Sequence, residues 1–141
     1  PFHRIANGQP GLELRLPLLF DAMVTRGWLG AEAFVELTAT APARVYGLAG
    51  KGQVAPGFDA DIVIWDPERR HSYGADDLHC NTGYNPFEGV TVTGWPERVL
   101  RRGAVIVEDG RLTEAAAPGR GAWVDRPAIG VARAGAGAEA R

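Results

Sequence analysis

Three histidines, one cysteine and a close pair of aspartates are the residues of this chain with most chemistry to offer. His3, His71 and His79 could ligate a metal or move a proton. None stands in a His-x-His or His-x-x-x-His spacing that would aim two imidazoles at one ion. His79 and Cys80 are adjacent, and in an extended chain adjacent side chains leave on opposite faces. Asp59 and Asp61 lie two apart and share a face. Beside the Pro56-Gly57 turn they suit the tying of backbone amides better than acid-base work. Gly50-Lys51-Gly52 lacks the Ser or Thr that follows Gly-Lys in a phosphate loop, and it lacks that loop's upstream glycine and strand. There is no Gly-x-Ser-x-Gly, and Cys80 has no triad context. By their own types and spacing, these residues assemble neither a catalytic set nor a metal site.

The elements that would position such groups divide at the stretch Val54-Ala55-Pro56-Gly57-Phe58-Asp59-Ala60-Asp61-Ile62-Val63-Ile64-Trp65-Asp66-Pro67. Its β-branched and aromatic run, Ile62-Val63-Ile64-Trp65, predicts a strand closed by Asp66-Pro67. Near-continuous apolar character predicts cover on both faces and a place in the middle of a sheet. Before it the chain reads helical. Ile5-Ala6-Asn7-Gly8-Gln9-Pro10-Gly11 is a loop of turn dipeptides that can present bare backbone groups. Leu12, Leu16, Leu19, Phe20 and Met23 mark one helical face, with a regular helix over residues 16–26 and Gly27 as its stop. A second helix is predicted over residues 31–38, capped by Gly30, with Phe34, Val35 and Leu37 buried. A short third helix has Thr40 as cap, Pro42 in its first turn, Val45 and Tyr46 inward and Gly47 at its end. Helices so short cannot bury their faces on one another and need a partner layer.

After the dividing strand, residues 68–89 read as a long, period-free connection. Residues 90–95 and 99–102 and then residues 104–108 read as three further strands. Tight turns at Arg102-Gly103 and Asp109-Gly110 lead to Arg111-Leu112, which makes a β-meander. The Ala/Gly/Pro/Arg tail from Ala115 has few anchors, and its last ten or so residues are expected to be disordered.

With 141 residues, 45% hydrophobic and 23% charged, the composition is that of one soluble domain or a piece of a larger protein. A net charge of −2 offers no basic stripe for nucleic acid. No apolar run approaches a bilayer-spanning length, and a single cysteine fits a reducing compartment, so a cytoplasmic location is expected. The chain opens Pro-Phe-His-Arg-Ile with no Met, the pattern of a processed product or a fragment.

Ala41 through Asp66, with Pro42-Ala43-Arg44-Val45-Tyr46-Gly47-Leu48 and then Lys51-Gly52-Gln53-Val54-Ala55-Pro56-Gly57-Phe58-Asp59-Ala60-Asp61, resembles the amidohydrolase superfamily where its barrel gives way to a small β-sandwich. Asn85-Pro86-Phe87-Glu88-Gly89, Thr93-Gly94-Trp95-Pro96 and the hairpin from Arg101 to Gly110 resemble the dihydropyrimidinase and hydantoinase branch, which opens cyclic ureides. Ile5-Ala6-Asn7-Gly8, Gly11-Leu12-Glu13 and Arg15-Leu16-Pro17-Leu18-Leu19 are similar to the same branch. The resemblance covers about residues 1–125.

The resemblance implies an α/β architecture: terminal helices of a (β/α) barrel over residues 1–50, a β-sandwich segment over 51–125 and a flexible tail over 126–141. It implies a parent enzyme with two zinc ions, whose ligands lie upstream of this chain, so that no catalytic or metal-binding residue is expected here and the chain alone is expected to be inactive. One substrate-binding residue carries over: Asn7 matches the asparagine whose main chain contacts the cyclic imide, although Ala6 stands where proline is common. The implied partners are a small cyclic ureide and sister subunits of a homotetramer, with no nucleic acid and no membrane. The alternatives are a non-catalytic dihydropyrimidinase-related assembly protein and an allantoinase or dihydroorotase, the latter disfavoured by the motifs at 85–89 and 93–96. Helices cut from their barrel sheet would leave an apolar patch and promote self-association.

Overall fold

The computed structural model describes residues 8, 10–79 and 82–124. Asn7, His3, Cys80 and the predicted flexible tail at 126–141 lie outside the described residues.

The N-terminal part is two helical runs. A 3-10 turn at Leu12–Leu14 leads into α1 (Arg15–Phe20), which widens without interruption into a π-helical turn at Asp21–Thr25. Gly27 ends this run as predicted, at φ 71°, and the Trp28 N–H closes on the Ala22 carbonyl. Gly30 caps the second run, its carbonyl accepting from the Phe34 N–H at 3.1 Å. This run comprises α2 (Ala31–Val35), a π segment at Glu36–Thr40 and α3 (Ala41–Val45), all contiguous.

The two later helices predicted from sequence are therefore one. Thr40 keeps helical dihedrals and caps nothing, and its hydroxyl donates instead to the Gly52 carbonyl at 2.8 Å. Pro42, which removes an N–H and crowds the carbonyl four residues back, falls where the wider π turn hands over to α3. Val45 and Tyr46, expected inward, are exposed, and so are Val35 and Leu37. Ala43 and Phe34 take the buried positions.

The C-terminal part is one antiparallel sheet in the order β1-β2-β3-β4, with β1 Ile62–Ser72, β2 Thr91–Arg101, β3 Ala104–Glu108 and β4 Arg111–Leu112. The predicted meander holds, and both Arg102-Gly103 and Asp109-Gly110 adopt the left-handed dihedrals that two-residue hairpin turns require.

Three expectations are corrected. First, β1 is an edge strand of this sheet rather than a central one, and Val63 and Ile64 remain exposed; an apolar run alone does not tell cover on two faces from an edge awaiting a neighbour. Second, β1 runs on through Asp66-Pro67 to Ser72, so the irregular connection begins only after it. Pro67, Glu68 and Arg69 form a bulge opposite Gly94, and the Asp66 carboxylate accepts from the Glu68 and Arg69 N–H groups at 3.0 and 3.1 Å. Third, the strands predicted at 90–95 and 99–102 are one. Pro96 and Glu97 sit at a second irregularity, where the ladder can spare a missing donor.

Helix and sheet meet around Gly94. Phe20 stacks on Trp65 with ring centroids 4.4 Å apart, and Phe34 packs edge-on against both. Buried Asp21 accepts the Thr93 N–H at 2.9 Å and pairs with Arg26 at 2.6 Å, while Thr25 donates to the Thr93 carbonyl. Both main-chain polar groups of one strand residue are thus claimed by a helix. A second cluster, Leu14, Tyr73 and Val92, seats the start of the helix on the far end of the sheet.

Candidate functional site

The residues singled out for chemistry are committed to separate local tasks. His71 contacts Asp77 through Nε2 at 3.0 Å and lies over Trp95, with ring centroids 4.1 Å apart. The Asp77 carboxylate also accepts the Gly74 N–H, and that bond, with His71 behind it and burial opposing, holds its pKa below the usual value. Ser72 bonds to Thr91 at 2.7 Å rather than joining the His71-Asp77 pair as a nucleophile would. His79 pairs with Glu13. Among the described residues no group of three or more His, Cys, Asp or Glu side chains could hold a metal ion. These donors do not fit a zinc centre, and no chemical step is routed through a metal on them.

Asp59 and Asp61 do structural work, as their place beside the turn suggested. Lys51 bonds to Asp59 at 2.6 Å and to Asp61, and the other Asp61 oxygen accepts the Arg102 N–H at 2.8 Å. The Lys51 ammonium is held above its ordinary pKa by the hydrogen bonds to Asp59 and Asp61. Burial pushes Asp61 up, and Lys51 and the Arg102 N–H outweigh it and hold the carboxyl below its ordinary value. The lysine of Gly50-Lys51-Gly52 therefore clips the loop to the first hairpin turn. A side chain on Gly52 would strike Ala43 at 2.6 Å and the Ala39 carbonyl at 2.9 Å, so this glycine serves packing rather than phosphate.

The segment that follows Asn7 is the one place where the chain gathers exposed polar contacts from distant elements. The Tyr84 hydroxyl donates to the Gly8 carbonyl at 3.4 Å. Gly11, at φ 96°, starts the 3-10 turn, and the Leu14 N–H returns to its carbonyl at 2.9 Å. Glu13 in that turn accepts both the His79 N–H and a bond from its ring, each at 2.8 Å. Beside it Pro10, Gly11, Arg15, Leu18, Leu19 and Phe87 line an open, largely apolar depression of about 380 Å³.

The opposing connection is itself ordered. Buried Asn85 donates to the Gly74 carbonyl at 2.8 Å and accepts the Phe87 N–H at 2.9 Å, while the Gly89 N–H bonds to the Tyr73 carbonyl at 2.8 Å. Tyr73 is buried, and its hydroxyl has no hydrogen-bond partner among the described residues. Burial first, then the charges of Asp77, Asp21 and Glu13, push its pKa up to about 12, so it stays a neutral donor.

Sequence reasoning missed Asp21, Glu13 and Tyr73. Asp21 had a readable signal, a carboxylate inside the apolar face that runs from Leu16 to Met23. Glu13 had none, because its partner lies 66 positions away.

Residues 12–106 match the amidohydrolase family. The chain is 46% identical over 120 residues to D-phenylhydantoinase of Escherichia coli O127:H6, covering 84% of this chain and 26% of that protein. Among solved structures, a D-hydantoinase (dihydropyrimidinase) from Thermus sp. superposes with a TM-score of 0.74 at 41% identity, over 79% of this chain and 25% of that one. An L-hydantoinase (dihydropyrimidinase) from Arthrobacter aurescens gives 0.74 at 34% identity, over the same shares. The chain spans about a quarter of the length of the relatives it matches.

Proposed function

Since this chain belongs to the amidohydrolase family, in its hydantoinase and dihydropyrimidinase branch, we propose that it is the C-terminal portion of an enzyme that opens hydantoin or dihydropyrimidine rings to N-carbamoyl amino acids. The observation that carries this reading is the 46% identity over 120 residues, which takes in both helical runs and the whole sheet. In this reading residues 1–50 end a (β/α) barrel, 51–125 belong to a β-sandwich and 126–141 form a tail.

Zinc, two ions held by ligands supplied from outside these residues, would provide the activated hydroxide that attacks the ring carbonyl. The part this chain plays is to bind and support. The Asn7 main chain meets the imide edge of the ring, and the 3-10 turn after it, seated on the sheet through Leu14 and Tyr73, fixes where that loop leaves the helix. Sister subunits of a cytoplasmic homotetramer would cover the apolar faces left exposed, among them Trp28, Leu29, Val63 and Ile64. No helix among the described residues is long and apolar enough to cross a membrane.

The test is ring opening by the full gene product that carries this segment, assayed on hydantoin and dihydrouracil with zinc. Turnover by the full product and none by residues 1–141 is expected. A full product inert on both ureides, or turnover by the isolated segment, would refute the reading.

A further inference from the structure

We propose that Glu13 is a positioning residue which, with His79 and Tyr84, clasps the turn after Asn7 so that the Asn7 main chain meets the cyclic ureide at a fixed place. The proposal rests on the reading of Asn7 as a substrate contact.

The geometry is two-pronged at one end. Glu13 Oε1 accepts the His79 main-chain N–H and Oε2 pairs with His79 Nδ1, each at 2.8 Å, so both carboxylate oxygens are spent on one distant residue. The side chains are 41% and 84% exposed, which leaves such a pair little to add to stability. What two simultaneous bonds to a main-chain and a ring donor do supply is orientation. At the other end the Tyr84 hydroxyl holds the Gly8 carbonyl at 3.4 Å. Gly8 is next to Asn7 in sequence, so the two contacts bracket the turn from Gly8 to Glu13.

Both holding residues come from one connection, between Ser72 and Thr91, and that connection is anchored through buried Asn85 to Gly74. Within the turn Gly11 has a left-handed φ of 96°, and a side chain there would strike Leu14 at 2.9 Å. A turn seated on the core at Leu14 and gripped at both ends transmits its position to the residue it follows.

The full-length protein with Glu13→Ala and Glu13→Gln tests this. Glu13→Ala should raise KM for hydantoin by about three- to tenfold, the scale of one exposed interaction, with kcat and thermal midpoint unchanged. Glu13→Gln should recover most of the loss, because its carbonyl still accepts the His79 N–H. An unchanged KM, or a fall in kcat with a lowered midpoint that Gln does not repair, would overturn the proposal in favour of a merely structural role. Hydrogen exchange reads the clasp without activity: the His79 amide should exchange faster in Glu13→Ala, and unchanged exchange would sink the clasp. A wild-type protein that opens no ureide would remove the functional reading and the positioning role with it, whereas faster exchange in the variant would still mark the contact itself.

Discussion

Gly94 is the residue on which the docking of helix against sheet turns. Its φ of 96° suits glycine, and a β-carbon there would lie 2.1 Å from the Phe20 ring. The ring cannot retreat, because Trp65 stacks on one side of it and Phe34 closes the edge. Gly94→Ala in the full-length protein should cost roughly 2–5 kcal/mol through left-handed strain and overpacking together, read as a lowered urea midpoint. A midpoint equal to wild type would mean that the helix does not pack there. From sequence Gly94 was legible only as part of the Thr-Gly-Trp-Pro motif, since nothing local announces a ring from residue 20. Asp21 shares that fate in part: its oddity among apolar neighbours could be read, but its partner Thr93 could not.

Among the elements, turns were the most legible. Arg102-Gly103, Asp109-Gly110, Gly27 and Gly47 stand where the residue types placed them, because positive φ is a local demand that glycine meets. Strand extent was the least legible. β1 and β2 each run through a proline, and the bulges that admit Pro67 and Pro96 exist only because the two strands oppose one another.

The loop before β1 is tied by Lys51 to Asp59 and Asp61, and its pH response follows from the directions of the shifts. Asp61 is held below its ordinary value of 3.8, so its contribution is present above that pH and is lost as pH falls through the depressed value. Lys51 is held above its ordinary 10.5, so its contribution is intact below that pH and is lost as pH rises through the raised value. The stability difference between wild type and Asp61→Asn should therefore be flat between about pH 5 and pH 9 and shrink toward zero in acid. Denaturant titrations across that range check this, and a difference that peaked in acid would contradict the clip.

At the scale of the whole molecule, the exposed apolar residues carry the most information. Trp28, Leu29, Val35, Leu37, Val45 and Tyr46 lie on or beside the helices, and Val63 and Ile64 lie on the edge strand. Their periodicity was read correctly as helix and strand, and wrongly as burial within this chain. Amphipathic spacing shows that a face is meant to be covered, and it does not say by what. The chain spans about a quarter of its relatives, and a cover supplied from outside it accounts for these faces without further assumption. The same logic governs the chemistry: the described residues hold, orient and support, and the metal-gripping groups belong to another part of the protein.

The most direct measurement is the metal content of purified protein after dialysis. The account predicts two zinc ions per protomer in the full gene product and none retained by residues 1–141. Stoichiometric zinc in the isolated segment, or a metal-free full product that still opens hydantoin, would contradict it.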